Sequence, residues 1–254
     1  MKGEAVAFGA ATIVNAIATG FGAAFGIDLW TRCWVELTED VGVVEAEIRS
    51  DPHEDTTLLK KAVEVVLQRY GVMEKFGAKA VTESNIPIAR GLKSSSVAAN
   101  AAVLATMAAL GVSEFDDVEV VKMGVDAAVK AGVTITGAFD DACASFFGNV
   151  VFTDNTNRRI LKTIEFSQDY HVVALIPREK VYTKSVNRER IRSIAPLVRH
   201  VFELGMSGCL WEALTLNGLL YSAALGADPA PAIDALQAGA MASGLSGTGP
   251  AVIA

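Results

Sequence analysis

The chain has 254 residues, and 51% of them are hydrophobic, which is enough for one large domain or two modest ones. Its net charge of −7 argues against a general nucleic-acid-binding surface. No apolar run reaches the length of about 18 residues that a transmembrane helix needs. The three cysteines lie far apart, which is typical of reduced thiols. The three histidines are scattered as well, so no cluster has the spacing of a zinc or haem site. We therefore expect a cytoplasmic protein with neither a nucleic-acid nor a membrane partner.

The first 50 residues are predicted to form strands. Segments 33–39 and 41–50 alternate apolar and polar side chains, which is the period of half-buried antiparallel strands. Gly20, Gly22 and Gly26 are expected to mark turns between strands. A glutamate precedes the apolar run at the start, so that run is interpreted as strand–turn–strand and not as a signal peptide.

Helices alternate with strands in the next hundred or so residues. Segment 55–71 carries one apolar stripe, with Asp55 or Thr56 as its cap and Gly71 at its end. A short strand and two helices follow; the first helix is so rich in alanine that we expect it to be central. The predicted ranges are 77–85 for the strand and 94–111 and 116–132 for the helices.

The remaining segments complete a mixed pattern. Residues 133–154 are predicted to form a glycine-rich loop, a buried segment and a strand. Two strands come next, followed by three helices over 189–205, 208–226 and 229–240 and by a glycine loop that runs into a last strand. This order predicts an α+β fold and not a regular βαβ alternation. The polar segment 153–158 is the best boundary, giving domains 1–155 and 156–254, and we expect the second domain to be clipped within its last strand.

The segment 87–100, "PIARGLKSSSVAAN", is the first candidate site. Gly91 permits a tight turn before the alanine-rich helix, whose first amide N–H groups have no partner within the helix and can bind phosphates. Lys93 would add a positive charge. The spacing differs from that of a Walker P-loop. A plain helix cap with surplus serines is the alternative interpretation.

Three further segments carry candidate chemistry. "TGAFDDA", residues 136–142, places two carboxylates before an apolar run. One could be the base or orienting group for a hydroxyl nucleophile, with the other directed at a metal, and a solvated turn or a helix cap is the alternative. "SGLSGTGPA", residues 243–251, is either a loop that lets a phosphate approach or a simple turn. In the basic segment 178–193, Lys184, Arg188 or Arg192 could bind an anion, and a solvated helix face is the alternative.

Taken together, these motifs resemble those of the GHMP kinases, which include galactokinase and the homoserine and mevalonate kinases. "PIARGLKSSSVAANA" is similar to their motif P-x-x-x-G-L-x-S-S-[AS], and "SGTGPA" to their C-terminal glycine motif. "TGAFDDA" resembles the segment that carries the catalytic aspartate in galactokinase-like members. Lys93 departs from the common pattern, but "GLKSSS" and "TIVNAIATGFGAAFGIDL" resemble the archaeal-type shikimate kinase branch of the family.

The resemblance implies a two-domain GHMP kinase fold with ATP and substrate in the cleft between the domains. It implies transfer of the γ-phosphate of ATP to the 3-hydroxyl of shikimate, with Mg²⁺ as cofactor, by a monomer or homodimer. Homoserine and pantoate kinases, or an inactive metabolite sensor on the same fold, are the alternatives. An aspartate in this loop argues mildly against a homoserine kinase.

The resemblance also implies roles for particular residues. Asp140 aligns best with the catalytic aspartate, and Asp141 is the second choice. Ser95 and Asp126 are the candidate Mg²⁺ ligands. The residues implied in binding ATP are Pro87, Ile88, Ala89, Arg90, Gly91, Leu92, Lys93, Ser94, Ser95, Ser96 and Val97, with Gly247, Thr248 and Gly249 bracing them.

Overall fold

The structure is a computed structural model that describes residues 1–178 and 187–254. Its strands are β1 (Lys2–Val14), β2 (Phe21–Thr38), β3 (Val44–Ile48), β4 (Gly77–Ser84), β5 (Val150–Asp154), β6 (Arg159–Ile164), β7 (Ala174–Leu175), β8 (Gly244–Leu245) and β9 (Val252–Ile253). Its helices are α1 (Thr57–Arg69), α2 (Ser94–Ala109), α3 (Asp117–Lys130), α4 (Phe139–Phe147), α5 (Arg188–Ser193), α6 (Ala195–Met206), α7 (Leu210–Leu225) and α8 (Ala230–Gln237). The mixture of sheets and helices confirms the α+β prediction.

A six-stranded sheet organises the chain, with β2 at its centre. The order is β3–β4–β2–β5–β6, and β1 pairs with the other side of β2. Strand β3 runs parallel to β4, so the expectation that all the early strands are antiparallel is wrong for this pair. The chain between them contains α1, and a crossover of this kind is what connects parallel neighbours. The strands β7–β9–β8 form a second, small sheet.

The alanine-rich helix α2 packs across β1 and β2, which confirms that it is central. A side chain at Gly3 of β1 would clash with the backbone of α2 at Ala105, so the helix lies directly on the strand. This close approach needs small side chains on both elements. Most residues of α2 are buried, including its polar Asn100 and Thr106.

Two local predictions were wrong, and packing explains both. Gly22 and Gly26 lie inside β2 and do not mark turns, because their missing side chains leave room for Asp140 and for the backbone of Gly148. The predicted single helix over residues 189–205 is two helices, α5 and α6, which meet at Ile194. Pro196 stands in the first turn of α6, where its missing N–H costs no hydrogen bond.

The segment predicted as a domain boundary is the turn between β5 and β6. Those two strands pair within the six-stranded sheet, so residues 155–158 connect neighbours. The division into 1–155 and 156–254 stays a prediction. No helix in the two described ranges has the length and apolar character needed to cross a membrane.

Candidate active site

The turn before α2 has an unusual backbone that presents the start of the helix. Gly91 and Lys93 have φ values of 87° and 64°, both in the left-handed region. Lys93 is the N-cap residue, and no side chain caps the helix. The amides of Ser94, Ser95 and Ser96 therefore begin the helix without an intrahelical partner, at the positive end of the helix dipole. This arrangement can bind an anion.

Gly91 also contacts the glycine loop near the end of the described chain. The hydroxyl of Ser246 donates a hydrogen bond to the carbonyl oxygen of Gly91 at 2.8 Å. The N–H of Gly247 donates to Thr12 Oγ1 at 3.0 Å, and its carbonyl accepts from Asn15 Nδ2 at 2.8 Å. The loop is thus held between β1 and the turn before α2, which supports the expectation that it braces that turn.

Gly91→Ala tests whether this close packing positions the turn. A Cβ at residue 91 would clash with the carbonyl oxygen of Ser246, and an alanine at this positive φ is strained as well. We expect a loss of about 2–4 kcal/mol in the free energy of unfolding, measured by urea denaturation. Gly42→Ala is the matched control, since Gly42 also has a positive φ of 75° but no atom within 4 Å of the added Cβ. Equal losses in the two variants would contradict the packing argument.

Asp140 is buried at the start of α4, facing β2. Its side chain fills the space above Gly22, and only 3% of the residue is exposed. Asn155 holds it from both sides: Asn155 Nδ2 donates to Asp140 Oδ1 at 2.8 Å, and Asn155 Oδ1 accepts from the Asp140 N–H at 3.1 Å. Thr153 Oγ1 donates to the same Asn155 Oδ1 at 2.7 Å. The carboxyl group is therefore fixed in one orientation.

Burial changes the acidity of both carboxyl groups. Loss of water raises the pKa of Asp140 to about 7, with the negative charge of Asp141 as the second cause. The pKa of Asp141 is also raised by burial, and the ammonium of Lys93 opposes that rise. Lys93 Nζ lies 3.1 Å from Asp141 Oδ1, and the two side chains are 9% and 13% exposed. The result is a buried cation next to two carboxyls, one of which titrates near neutral pH.

The two helix starts and the glycine loop surround one cleft. Most of the predicted site residues that have polar side chains line this cleft. The cleft is lined by Asn15, Ala16, Ile17, Ala89, Gly91, Lys93, Ser94, Ser95, Ser96, Ala128, Val133, Thr134, Ile135, Thr136, Ala138, Asp140, Asp141, Gly247 and Thr248.

The other predicted residues lie around the cleft and do not line it. Leu92 and Val97 are buried in the core. Gly249 packs against Leu245, and Ile88 lines a neighbouring hollow. Arg90 lies in the same turn, where its carbonyl accepts from the Ala251 N–H at 3.0 Å, and Pro87 precedes that turn.

Asp126 is not brought to Ser95. It lies on α3, and its carboxylate forms an ion pair with Arg158 Nη1 at 2.6 Å. Neither residue lines the cleft of Asp140. Its role as a Mg²⁺ ligand is a prediction that this arrangement does not support.

The basic segment 178–193 contributes nothing to this cleft in the described part of the chain. Arg188 and Arg192 are exposed on α5. Lys184 lies outside the described residues. Arg158, which sequence analysis did not single out, is the cation that approaches this region from the β5–β6 turn.

A second hollow opens on the other side of the serines. Ala89, Ser94, Ser95 and Val133 line both spaces. The remaining wall combines apolar side chains with hydroxyl and carboxyl groups: Thr31, Ile48, Ser50, Glu54, Asp55, Leu58, Leu59, Thr82, Ser84, Ile88 and Ala98. Such a wall suits a ring that has apolar faces and polar edges.

The amides that hold the site together are not among the predicted site residues. Asn15 is 6% exposed, and its N–H donates to Asn217 Oδ1 at 2.9 Å. Tyr221 donates its hydroxyl hydrogen to the carbonyl of Asn15 at 2.9 Å. Asn155 was predicted only as part of a polar boundary. A single asparagine among apolar residues, as at position 15, was the available signal, but it does not name a partner.

Comparisons with known proteins find similar sequences and similar folds among kinases. The family described as "GHMP kinases N terminal domain" matches residues 57–149. The chain is 48% identical over 254 residues to a shikimate kinase of Methanosarcina mazei, covering 100% of this chain and 85% of that protein. It is 50% identical to a shikimate kinase of Methanothrix thermoacetophila, with the same two coverages. The crystal structure of Methanococcus jannaschii mevalonate kinase superimposes with a TM-score of 0.74 at 15% identity, over 98% of this chain and 89% of that one.

Proposed function

This chain belongs to the GHMP kinase family, and from that premise we propose that it phosphorylates the 3-hydroxyl of shikimate with ATP. One observation carries the proposal: the uncapped start of α2 and the carboxyl group of Asp140 line the same cleft. Phosphoryl transfer needs an anion site beside a group that orients the attacking hydroxyl. The names of the relatives at 48% and 50% identity support shikimate as the acceptor.

The phosphates of ATP would lie at the start of α2. The free amides of Ser94 to Ser96 and the charge of Lys93 favour phosphate oxygens there. The hollow that shares Ser94 and Ser95 with the cleft would take the nucleoside, because its wall combines apolar side chains with hydroxyl and carboxyl groups. The substrate hydroxyl would then approach from the side of Asn15 and Thr136, towards Asp140.

The donor set of the cleft suits Mg²⁺ as the cofactor. Mg²⁺ binds oxygen atoms and is usually held by one or two carboxylates together with substrate phosphates. Asp141 and the exposed Ser95 supply a carboxylate and a hydroxyl in this cleft. No group of three potential ligands among His, Cys, Asp and Glu occurs in the described residues, so the phosphates would complete the shell. The ion would neutralise charge on the phosphoryl oxygens.

Asp140 would act on the attacking hydroxyl. A carboxyl group with a pKa near 7 is matched to proton transfer at neutral pH. Asn155 holds one oxygen of Asp140, and Asp140 lines the cleft where the hydroxyl would lie. Lys93 holds Asp141 by charge and keeps a cation close to the phosphate site. The chain's own contribution is thus orientation and charge, as phosphoryl transfer requires.

A panel of acceptors tests this function. We expect ADP release with shikimate in the presence of ATP and Mg²⁺, and much slower release with homoserine, pantoate, mevalonate or galactose. The product should be identified as shikimate 3-phosphate by NMR of the phosphorus and ring protons. Turnover of homoserine alone would overturn the assignment. Binding of ATP without turnover of any acceptor would favour a metabolite sensor.

A further inference from the structure

A third space, a polar hollow, adjoins the cleft on the side of Thr136 and Asn155. It shares Ile17, Ile135 and Thr136 with the cleft, so the two spaces meet along one edge. Its other lining residues are Thr19, Gly20, Val129, Gly137, Asn155, Thr156 and Arg158. The hydroxyls and the amide suit a small polyhydroxylated molecule, and the single cation among these residues is that of Arg158.

We propose that Arg158 binds the carboxylate of the acceptor and sets its specificity. This inference rests on the proposed function, because shikimate carries a carboxylate and three hydroxyls on one ring. With its 3-hydroxyl at Asp140, the rest of the ring would extend towards Thr136 and Asn155. The carboxylate would then lie at the end of the hollow that Arg158 lines.

The position of Arg158 is fixed from both sides. It belongs to the β5–β6 turn, where Asp154 accepts hydrogen bonds from the N–H and the side-chain amide of Asn157 at 3.0 and 2.7 Å. The φ of Arg158 is 50°, which a non-glycine residue adopts only where surrounding contacts hold it. Asp126 holds the guanidinium through Nη1. The side chain is 32% exposed, so it is neither free in solvent nor enclosed.

The ion pair with Asp126 leaves room for a second anion. A guanidinium has five N–H donors in a planar fork, and contact through Nη1 can coexist with a carboxylate on another edge. The other cation that lines these two spaces in the described ranges is Lys93. Lys93 is engaged with Asp141 beside the phosphate site, so it does not serve this end of the hollow.

Asn155 links the two ends of the binding site. It donates to Asp140 Oδ1 at 2.8 Å and to Thr136 Oγ1 at 3.3 Å, and it precedes Arg158 by three residues in the same turn. One short turn therefore positions both the group at the reacting hydroxyl and the cation for the carboxylate. A molecule that lacked the carboxylate would be aligned at one end only.

Arg158→Gln tests the inference through a comparison of two acceptors, shikimate and its uncharged primary amide. We expect the wild-type protein to prefer the acid over the amide by about 10- to 100-fold in kcat/KM, the value of a charge-assisted contact. Arg158→Gln should lower kcat/KM for the acid by the same factor, through KM, and leave the amide and the KM for ATP unchanged. Arg158→Lys should keep part of the preference.

Two control variants separate this role from a structural one. Arg159→Gln removes the same charge from the next residue, which is exposed, and should leave the preference intact. Asp126→Asn keeps the cation but removes the contact that holds the guanidinium, so it should lower the preference less than Arg158→Gln does. An equal loss for acid and amide in Arg158→Gln, or an acid-specific loss in Asp126→Asn as large as that in Arg158→Gln, would overturn the inference. If Arg158→Gln does not fold, Arg158→Lys is decisive. The inference is overturned if that variant keeps both the wild-type ratio of kcat/KM for acid and amide and the wild-type KM for the acid.

The activity of the wild-type protein on shikimate separates failure of the role of Arg158 from failure of the proposed function. If the wild-type protein phosphorylates neither compound, shikimate is not the acceptor, and the assignment of Arg158 falls with it. If the wild-type protein phosphorylates shikimate but Arg158→Gln keeps the full acid-to-amide preference, only the role of Arg158 is overturned.

Discussion

Asp140→Asn is expected to lower kcat by about 10²- to 10⁴-fold while the affinity for ATP changes little. The amide keeps the shape of the carboxyl group and can still accept from Asn155 Nδ2, so the site should stay in place. It cannot take the proton of the attacking hydroxyl. Steady-state kinetics with shikimate and calorimetric titration with an ATP analogue measure the two quantities. A wild-type rate in this variant would reject the role of Asp140.

Asp140→Asn is also expected to raise the free energy of unfolding at alkaline pH. The pKa of Asp140 is about 7 in the folded chain, against 3.8 as the reference value, so the folded state holds a proton between these two pH values. Stability of the wild-type protein therefore falls as pH rises through this window, by up to about 1.4 kcal/mol for each pH unit. Asparagine carries no charge, so Asp140→Asn should be the more stable form at pH 8 and about equal at pH 4.

Thermal unfolding of the wild-type protein and of Asp140→Asn at pH 4, 6 and 8 measures how their difference in stability changes with pH. Asp234→Asn is the matched control, because Asp234 is exposed on α8 and its substitution should leave the difference near zero at each pH. In the wild-type enzyme, kcat should fall as pH drops below about 7, since the protonated carboxyl group cannot act as a base. A rate that stays flat from pH 8 to pH 5 would contradict this use of Asp140.

Lys93→Met is the second substitution with a large expected effect. It removes one partner of a buried ion pair and leaves the Asp141 carboxylate without its cation, which costs about 3 kcal/mol in the free energy of unfolding. It also removes a positive charge from the phosphate site, so binding of ATP should weaken by about 10- to 100-fold. Lys93 lowers the pKa of Asp140 as well, so the acid limb of the rate profile should move to higher pH.

A double substitution separates these effects. In Lys93→Met with Asp141→Asn no unpaired charge remains, so most of the lost stability should return while ATP binding stays weak. Lys122→Met is the control for loss of a lysine, since Lys122 pairs with Glu119 on the surface. Full ATP affinity in Lys93→Met would mean that the backbone amides of α2 bind the phosphates unaided.

Several features could be predicted because they depend on neighbours in the chain. The helix predicted over 116–132 begins at Asp116, and Asp116 does cap α3, since its Oδ1 accepts from the Glu119 N–H at 3.0 Å. The alanines of α2 predicted close packing. The segment after "TGAF" was predicted as buried, which is correct, but not as a helix. It has only nine residues, and its small and apolar side chains leave periodicity weak.

The α+β class, the loop before α2, the aspartate pair and the resemblance that joins them could be predicted, because periodicity, capping and short motifs act over a few residues. Other features depend on how distant segments pack. They are the parallel pairing of β3 with β4, the hydrogen bonds from Asn155 that orient Asp140, the ion pair of Asp126 with Arg158, and the contacts of Asn15 with Asn217 and Gly247. The Asn15 contacts join residues 202 and 232 positions apart, and a single asparagine can accept or donate to almost any polar group. Its partner is selected by which chain segments the packed core brings together, and that choice has no local signature.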